Sequence, residues 1–302
     1  MSYKILVIAG GGKKHLEPFV MEAGKLAVEL DTASFSELEY LTKNNGVRLT
    51  VNGKNVAEYS LVYIRLVGKR LEEAALLINY CKKVGLKVID TIFEKGISPK
   101  VPLPKSIETE LLVASKIPVP TTYFGSLKNI KDKAPKIFDF PFVIKGTTGK
   151  QGHAVWSPRN VEELNNLAEE VSEKEKEGNK FIAQEFIRAS QRVRVLVVGG
   201  KAVAAITRPT RWRRRFIEKV EGDYPPGIRG PLNPIPKADV QLATDAAKSL
   251  YVDIAGVDII HEHKTGKAYV LEVNAAPRWE SISQDCGINV EAEIVTFLNS
   301  LI

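Results

Sequence analysis

The sequence predicts an α/β fold, and three observations carry that prediction. Strand-like runs alternate with amphipathic helical stretches through the first ninety or so residues. A glycine-rich loop at 142–156, FVIKGTTGKQGHAVW, sits between two further strand-like runs. In the last third, two apolar runs read as a strand pair, and they carry Asp258, Glu272 and Asn274.

Taken in order, KILVIA reads as a strand, the stretch around Phe19 to Leu30 as a helix, and VRLTV and SLVYIRLV as strands. EEAALLINYCKKVG then reads as a helix and KVID as a strand. The alternation predicts a small, mostly parallel sheet with helices on its faces. Asn52-Gly53 makes VRLTVNGKNV a hairpin. The proline-rich EKGISPKVPLP, from Glu94 to Pro104, reads as an interdomain connection. A helix follows from Ser106 to about Ser115, and IPVPTTYFG returns to extended chain because proline disfavours helix in the residue before it. After the glycine loop, Asn160 caps a helix whose stripe is Val161, Leu164, Leu167, Ala168 and Val171. RVRVLVVGGKAVAAITR turns about Gly199-Gly200, and Arg192 and Arg194, two apart, share a face. A helix near Ala238 to Leu250, the pair IAGVDIIHEH and KAYVLEVN, and a closing helix from Val290 complete the chain.

At 302 residues and 44% hydrophobic content the chain can bury a substantial core. Its 43 Lys and Arg against 36 Asp and Glu, a net charge of +7, favour anionic partners without choosing among them. Cys81 and Cys286 lie far apart and outside any CxxC or Cys/His pattern, which points to a reducing compartment without structural zinc. The N-terminal apolar run is too short for a signal peptide, and no run approaches the roughly 18 apolar residues of a membrane span. The chain therefore reads as a soluble cytoplasmic protein.

The glycine loop nearly spells a phosphate-binding P-loop and fails it twice. Gly146 and Gly149 are too close, and Gln151 rather than Ser or Thr follows Lys150. Glycines between two strands instead fit a hairpin lid folding over phosphates, with backbone N–H groups and lysines neutralising charge. Taken alone, the segment would serve equally as a turn with solvated lysines. Glu272 and Asn274 share a strand face, and a three-residue turn over Lys264 to Gly266 would set Asp258 opposite Glu272. Two carboxylates and an amide oxygen suit magnesium. His261-Glu262-His263 fits no common zinc spacing and reads as solvated residues flanking a turn. TRPTRWRRRF at 207–216 interleaves Arg208, Arg211, Arg213, Arg214 and Arg215 with aromatics, a footprint equally of nucleic acid, phosphate or carboxylate recognition.

Together these motifs resemble the ATP-grasp superfamily and, within it, the RimK-like carboxylate-amine ligases that add glutamate to a protein C-terminus. The resemblance covers nearly the whole chain in order, through VPLPKSIETELLVASKIPVPTTYFGS, FPFVIKGTTGKQGHAVW, FIAQEFI, RVRVLVVGGKAVAAITR, GVDII and LEVNAAP. It implies an ATP-grasp fold of three subdomains: an N-terminal α/β domain over 1–96, a linker and central lid domain over 97–188, and a C-terminal α+β domain over 189–302. By the same resemblance Lys105 and Lys145 contact ATP, Gly149 and Gly152 lie in the lid, and Gln184, Glu185, Phe186 and Ile187 line the adenine. Asp258, Glu272 and Asn274 match the magnesium ligands, with manganese an admissible substitute. Arg194 matches a substrate- and phosphate-facing arginine, and Arg213 lies near the γ-phosphate. Four departures stand out. Arg192 replaces an aspartate that meets the ribose, Pro104 precedes the linker lysine, Arg215 replaces an asparagine, and Arg278-Trp279 replaces a small glycine step. These substitutions fall where the family sets its substrate choice.

The implied activity is ATP-dependent amide formation through an acyl phosphate, joining an amino acid to an acidic peptide, carrier-protein tail or small carboxylate. Arg208, Arg211 and Arg214 are the candidates for attracting that acid. Two alternatives are kept: macrocyclisation or tailoring of a peptide on the same fold, and a non-catalytic nucleic-acid-binding protein. The complete ligand set argues against nucleic acid as the partner. A homo-oligomer is compatible with the sequence.

Overall fold

The computed structural model describes residues 3–43, 46–96, 103–147, 154–210 and 227–302. The N-terminal part runs β1 (Lys4–Ala9), α1 (Glu17–Lys25), β2 (Glu29–Ser34), β3 (Leu38–Lys43), β4 (Gly46–Val51), β5 (Lys54–Asn55), β6 (Leu61–Leu66), α2 (Leu71–Val84), β7 (Lys87–Ile89) and α3 (Ile92–Lys95). Strands β1, β2, β6 and β7 form one parallel sheet in the order β2-β1-β6-β7, as the alternation predicts. The helix expected to reach Leu30 stops at Lys25, where Ala27 adopts a left-handed backbone (φ 55°) and the chain turns into β2. That strand and β3 escape the sequence reading because ELDTAS and LEYLTK have little apolar alternation, and β3 is mostly exposed. VRLTV pairs with β3 and β5 in a separate antiparallel sheet. Asn52 and Gly53 both have positive φ, 50° and 73°, the backbone a two-residue hairpin turn demands.

The central part runs α4 (Lys105–Ala114), β8 (Thr122–Gly125), α5 (Leu127–Ile137), β9 (Val143–Gly146), β10 (Val155–Trp156), α6 (Val161–Glu170), α7 (Ser172–Lys176) and β11 (Phe181–Gln184). Its antiparallel sheet has the order β10-β9-β11-β8. Helices α5 and α6 close one core over it, built on Ile130, Phe142, Leu164, Leu167 and Phe181. Asn160 caps α6 by accepting a hydrogen bond from Glu163 N, as its sequence predicts. The same Glu163 carboxylate accepts from the backbone N–H and side chain of Arg159.

The last part runs β12 (Gln191–Val198), β13 (Lys201–Pro209), β14 (Gly230–Pro231), α8 (Lys237–Ser249), β15 (Ile254–His261), β16 (Ala268–Asn274), α9 (Glu280–Cys286) and α10 (Val290–Asn299). Its sheet has the order β14-β13-β12-β15-β16. One face, with Val195, Val257 and Val270, packs on α8 and α4. The opposite face carries Leu196, Ile206 and Ile254 into a single core with Ile5, Phe19 and Tyr63 of the N-terminal part. Residues two or four apart on a strand share a face, so Arg194 and Asp258 stand on this second face, beyond the end of that core. Among the described residues no helix is long and apolar enough to cross a membrane.

Candidate active site

Strand pairing builds the site. Arg194 on β12 lies opposite Asp258 on β15, which lies opposite Glu272 on β16, giving one transverse row. The sequence predicts the Asp258–Glu272 pairing, but the structure reaches it by another route. Pairing persists to Glu262, whose N–H donates to Lys267 O, so the turn is one residue longer than expected and would throw the register off by one. A bulge between the Asp258–Glu272 and Ile259–Val270 pairs leaves Leu271 as the extra residue and restores it.

Arg194 grips Asp258 with both arms of its guanidinium, Nε to Oδ1 and Nη2 to Oδ2, each at 2.6 Å. The Asp258 side chain is only 3% exposed. Burial alone would push its carboxyl up, and Arg194 more than offsets this, holding it below the usual carboxylate range. Arg192 stands 3.8 Å from the same carboxylate, and its Nε is buried without a partner. Arg208 pairs with Arg192 across β12 and β13 and donates to Ser281 Oγ at 2.6 Å. Burial, then the charge of Arg194, lowers the pKa of Arg208.

On the other flank Lys105 Nζ lies 3.1 Å from Glu108 Oε2 and 3.3 Å from Glu272 Oε1. Burial lowers its pKa, and the two carboxylates more than reverse this, so Lys105 stays charged. Lys145 Nζ donates to Gln184 Oε1 at 2.6 Å, and Gln184 Nε2 donates to Thr122 Oγ1 at 2.8 Å. Burial first, and repulsion from Lys105 second, pull Lys145 down to about 8. Glu185 anchors the following segment: its N–H donates to Thr121 O and its Oε2 accepts from Thr121 N. Ile187 is buried beyond it. Phe186 lies between these two in the same segment.

Glu108 is a site residue that the sequence does not reveal. Its side chain is 4% exposed, Oε1 accepts from Val273 N at 2.7 Å and Oε2 receives Lys105. It thus ties the lysine to the residue between Glu272 and Asn274. Replacing Glu108 with Leu should cost about 3 kcal/mol, because the Lys105 ammonium loses the nearer of its two carboxylates and the buried Val273 N–H loses its acceptor. Glu108→Gln, which keeps an acceptor for Val273, should cost clearly less, and urea denaturation of the two variants measures the difference.

Asn274 Nδ2 donates to Gly256 O at 3.2 Å, which fixes the amide and leaves Oδ1 as the atom that could ligate a cation. Among the described residues no three His, Cys, Asp or Glu side chains converge as a metal cage. The donor set is two carboxylates and an amide oxygen, all hard ligands. It fits magnesium shared with a phosphate-bearing substrate. Gly149, Gly152, Arg211, Arg213 and Arg214 lie outside the described residues, as does Arg215. Trp279 does not face the row: it is 4% exposed and packs on Phe19, so this replacement of a small residue serves a core.

Of the two histidines, His263 is exposed, as the sequence predicts, and His261 is partly buried. His261 shares a 2.9 Å hydrogen bond, through Nε2, with the buried Asp239 of α8, and that bond raises its pKa. A raised folded value means the contribution is complete below about 6.5, the unfolded value, and is lost as pH rises through the folded one. The gap in melting temperature between the native protein and His261→Asn should therefore be wider at about pH 5.5 than at about pH 8.5.

A RimK-like ATP-grasp domain matches residues 104–298. A probable alpha-L-glutamate ligase of Haemophilus ducreyi is 26% identical over 282 residues, 91% of this chain and 86% of that protein. A ribosomal protein bS6–L-glutamate ligase of Escherichia coli is 30% identical over 197 residues, 63% of this chain and 61% of that one. For several curated relatives the matched stretch is only 46% to 62% of their own length. In fold, the chain superposes on the ATP-grasp ligase PsnB, solved with a minimal precursor, with a TM-score of 0.74 at 16% identity, covering 100% of each chain.

Proposed function

Since the chain belongs to the RimK-like ATP-grasp family, we propose that it is an ATP- and magnesium-dependent ligase joining a carboxylate to an amine through an acyl phosphate. The observation that carries this reading is electrostatic. Lys105, Lys145, Arg192, Arg194 and Arg208 outnumber Asp258, Glu272 and Glu108 in one partly buried cluster. Such a cluster is costly without an anion, and a nucleotide polyphosphate supplies one.

In this reading Lys105 and Lys145 hold the α- and β-phosphates, Gln184 to Ile187 line the adenine, and the loop bearing Gly149 and Gly152 closes over them. Asp258, Glu272 and Asn274 would hold magnesium, which when bound neutralises charge on the β- and γ-phosphates. An oxygen of the acceptor carboxylate attacks the γ-phosphorus and ADP departs. The amine nitrogen then attacks the acyl carbon, loses a proton, and inorganic phosphate leaves. Arg194 and Arg213 stabilise charge on the transferring phosphoryl group and the acyl phosphate. Arg208, Arg211 and Arg214 orient an acidic substrate, and the relatives' names favour an amino acid, glutamate first, as the amine. A cytoplasmic setting and the division into 1–96, 97–188 and 189–302 belong to the same proposal.

The test is ADP release with ATP and magnesium across amino acids, small carboxylates and acidic peptides, with hydroxylamine present to trap an acyl phosphate. Substrate-stimulated ADP and a hydroxamate are expected. Their absence across the whole panel would overturn the assignment, and an ATP-consuming loss of water within a single peptide, with release of ADP and phosphate, would favour peptide macrocyclisation instead.

A further inference from the structure

Arg65 is a second functional candidate that no motif announces. It stands on β6, only 9% exposed, and no salt bridge holds it among the described residues. Its Nη2 donates to Pro277 O at 2.7 Å, across 212 residues of chain, and its guanidinium lies 3.9 Å from the centroid of the Trp279 ring. Trp279 is itself pinned. Its Nε1 donates to Glu291 Oε1 of α10 at 2.7 Å, and its ring meets Phe19 of α1 edge-on at 6.1 Å. Phe19 in turn meets Tyr63, two residues from Arg65, at 6.2 Å.

This clasp grips the segment that leaves Asn274 at the end of β16. Pro277 lies so close over Gly256 that a Cβ there would fall 2.8 Å from Pro277 Cβ. Only glycine permits that approach. Gly256 O is also the acceptor that orients the Asn274 amide. A continuous set of contacts therefore runs from Arg65 through Pro277 and Gly256 to Asn274. A guanidinium stacked on a buried indole while donating to a carbonyl is a geometry lysine cannot reproduce.

We propose that Arg65 is a positioning residue for the metal–nucleotide site, through which the N-terminal sheet fixes the 274–279 segment and with it the Asn274 ligand. The inference rests on the function proposed above, in which Asn274 holds magnesium. Residues that orient ligands from behind typically alter metal affinity by about 10- to 100-fold when replaced.

The experiment compares native protein, Arg65→Met, Arg65→Lys and Ile294→Val by titration calorimetry with ADP, with and without magnesium, alongside thermal melting. Ile294 lies in the same core on α10 and takes part in none of the clasp's hydrogen bonds or ring contacts, so Ile294→Val controls for stability lost at the seam. Arg65→Met should weaken the magnesium-dependent part of ADP affinity by about tenfold. It should leave metal-free ADP affinity unchanged, and Arg65→Lys should recover only part of the loss. Ile294→Val should lower the melting temperature without touching the metal dependence. If Arg65→Met melts earlier yet keeps the native magnesium dependence, the positioning role is overturned while the function stands. If ADP affinity of the native protein ignores magnesium, the function itself is overturned and this inference with it.

Discussion

Asp258→Asn is expected to lower substrate-stimulated ADP release at least about 10³-fold, equivalent to about 4 kcal/mol of lost transition-state stabilisation. In the proposed site this carboxylate is a metal ligand and also the acceptor for both arms of Arg194. The amide keeps the shape but not the charge, so the Arg194 guanidinium, 13% exposed, would stay in place without a counter-charge. Breaking a buried pair from one side costs about 3–5 kcal/mol in general, and the retained amide oxygen should place this variant at the lower end. The two effects separate in a double variant. Adding Arg194→Met to Asp258→Asn should recover part of the stability and none of the rate. Denaturant titration and a coupled ADP assay read the two quantities, and an Asp258→Asn enzyme with native turnover at saturating magnesium would refute the ligand assignment.

Lys145→Met is expected to weaken ATP binding by about 1.5–3 kcal/mol, roughly 10- to 150-fold, and to abolish a pH dependence the native protein should show. Burial and Lys105 hold the free lysine near a pKa of about 8. A bound polyphosphate favours the charged form and raises that value. Below pH about 8 the ammonium is charged both free and bound, so this group adds no slope to the affinity. Above it, binding must take up a proton, and the affinity should fall by up to about tenfold per pH unit until the bound-state pKa is passed. Calorimetry at about pH 9 in buffers of different ionisation enthalpy should register that uptake in the native protein and none in Lys145→Met. Equal uptake in both would assign the proton to another group.

The strands of the site are legible in the sequence because alternation survives in it. RVRVLVV and GVDII carry polar residues at fixed spacing in apolar runs, and a period of two places Arg194 and Asp258 on definable faces. Asn52-Gly53 and the Asn160 cap are legible for the same local reason. Glu108 and Arg65 are not. Each looks like an ordinary charged residue, and its role depends on a backbone partner 165 or 212 positions away. Helix α5 is hidden differently, since Pro135 interrupts the pattern that Leu127, Ile130 and Ala134 would otherwise announce. Trp279 shows a third limit. Its residue type marks a departure from a motif, but only its neighbours Phe19, Arg65 and Glu291 reveal that the departure fills a seam.

The bulge at Leu271 makes the 258–272 hairpin tolerant of length change both at its tip and at the bulge itself. The turn from His263 to Gly266 lies on the far side of the bulge from the metal row, so residues added at its tip need not propagate to Asp258 or Glu272. A peptide tag or fluorophore sequence could be carried there. Deleting Leu271 alone would remove the bulge and leave Ile259 opposite Val270 and Asp258 opposite Glu272 in a regular ladder, so the row would keep its pairing without the residue that bends the strand.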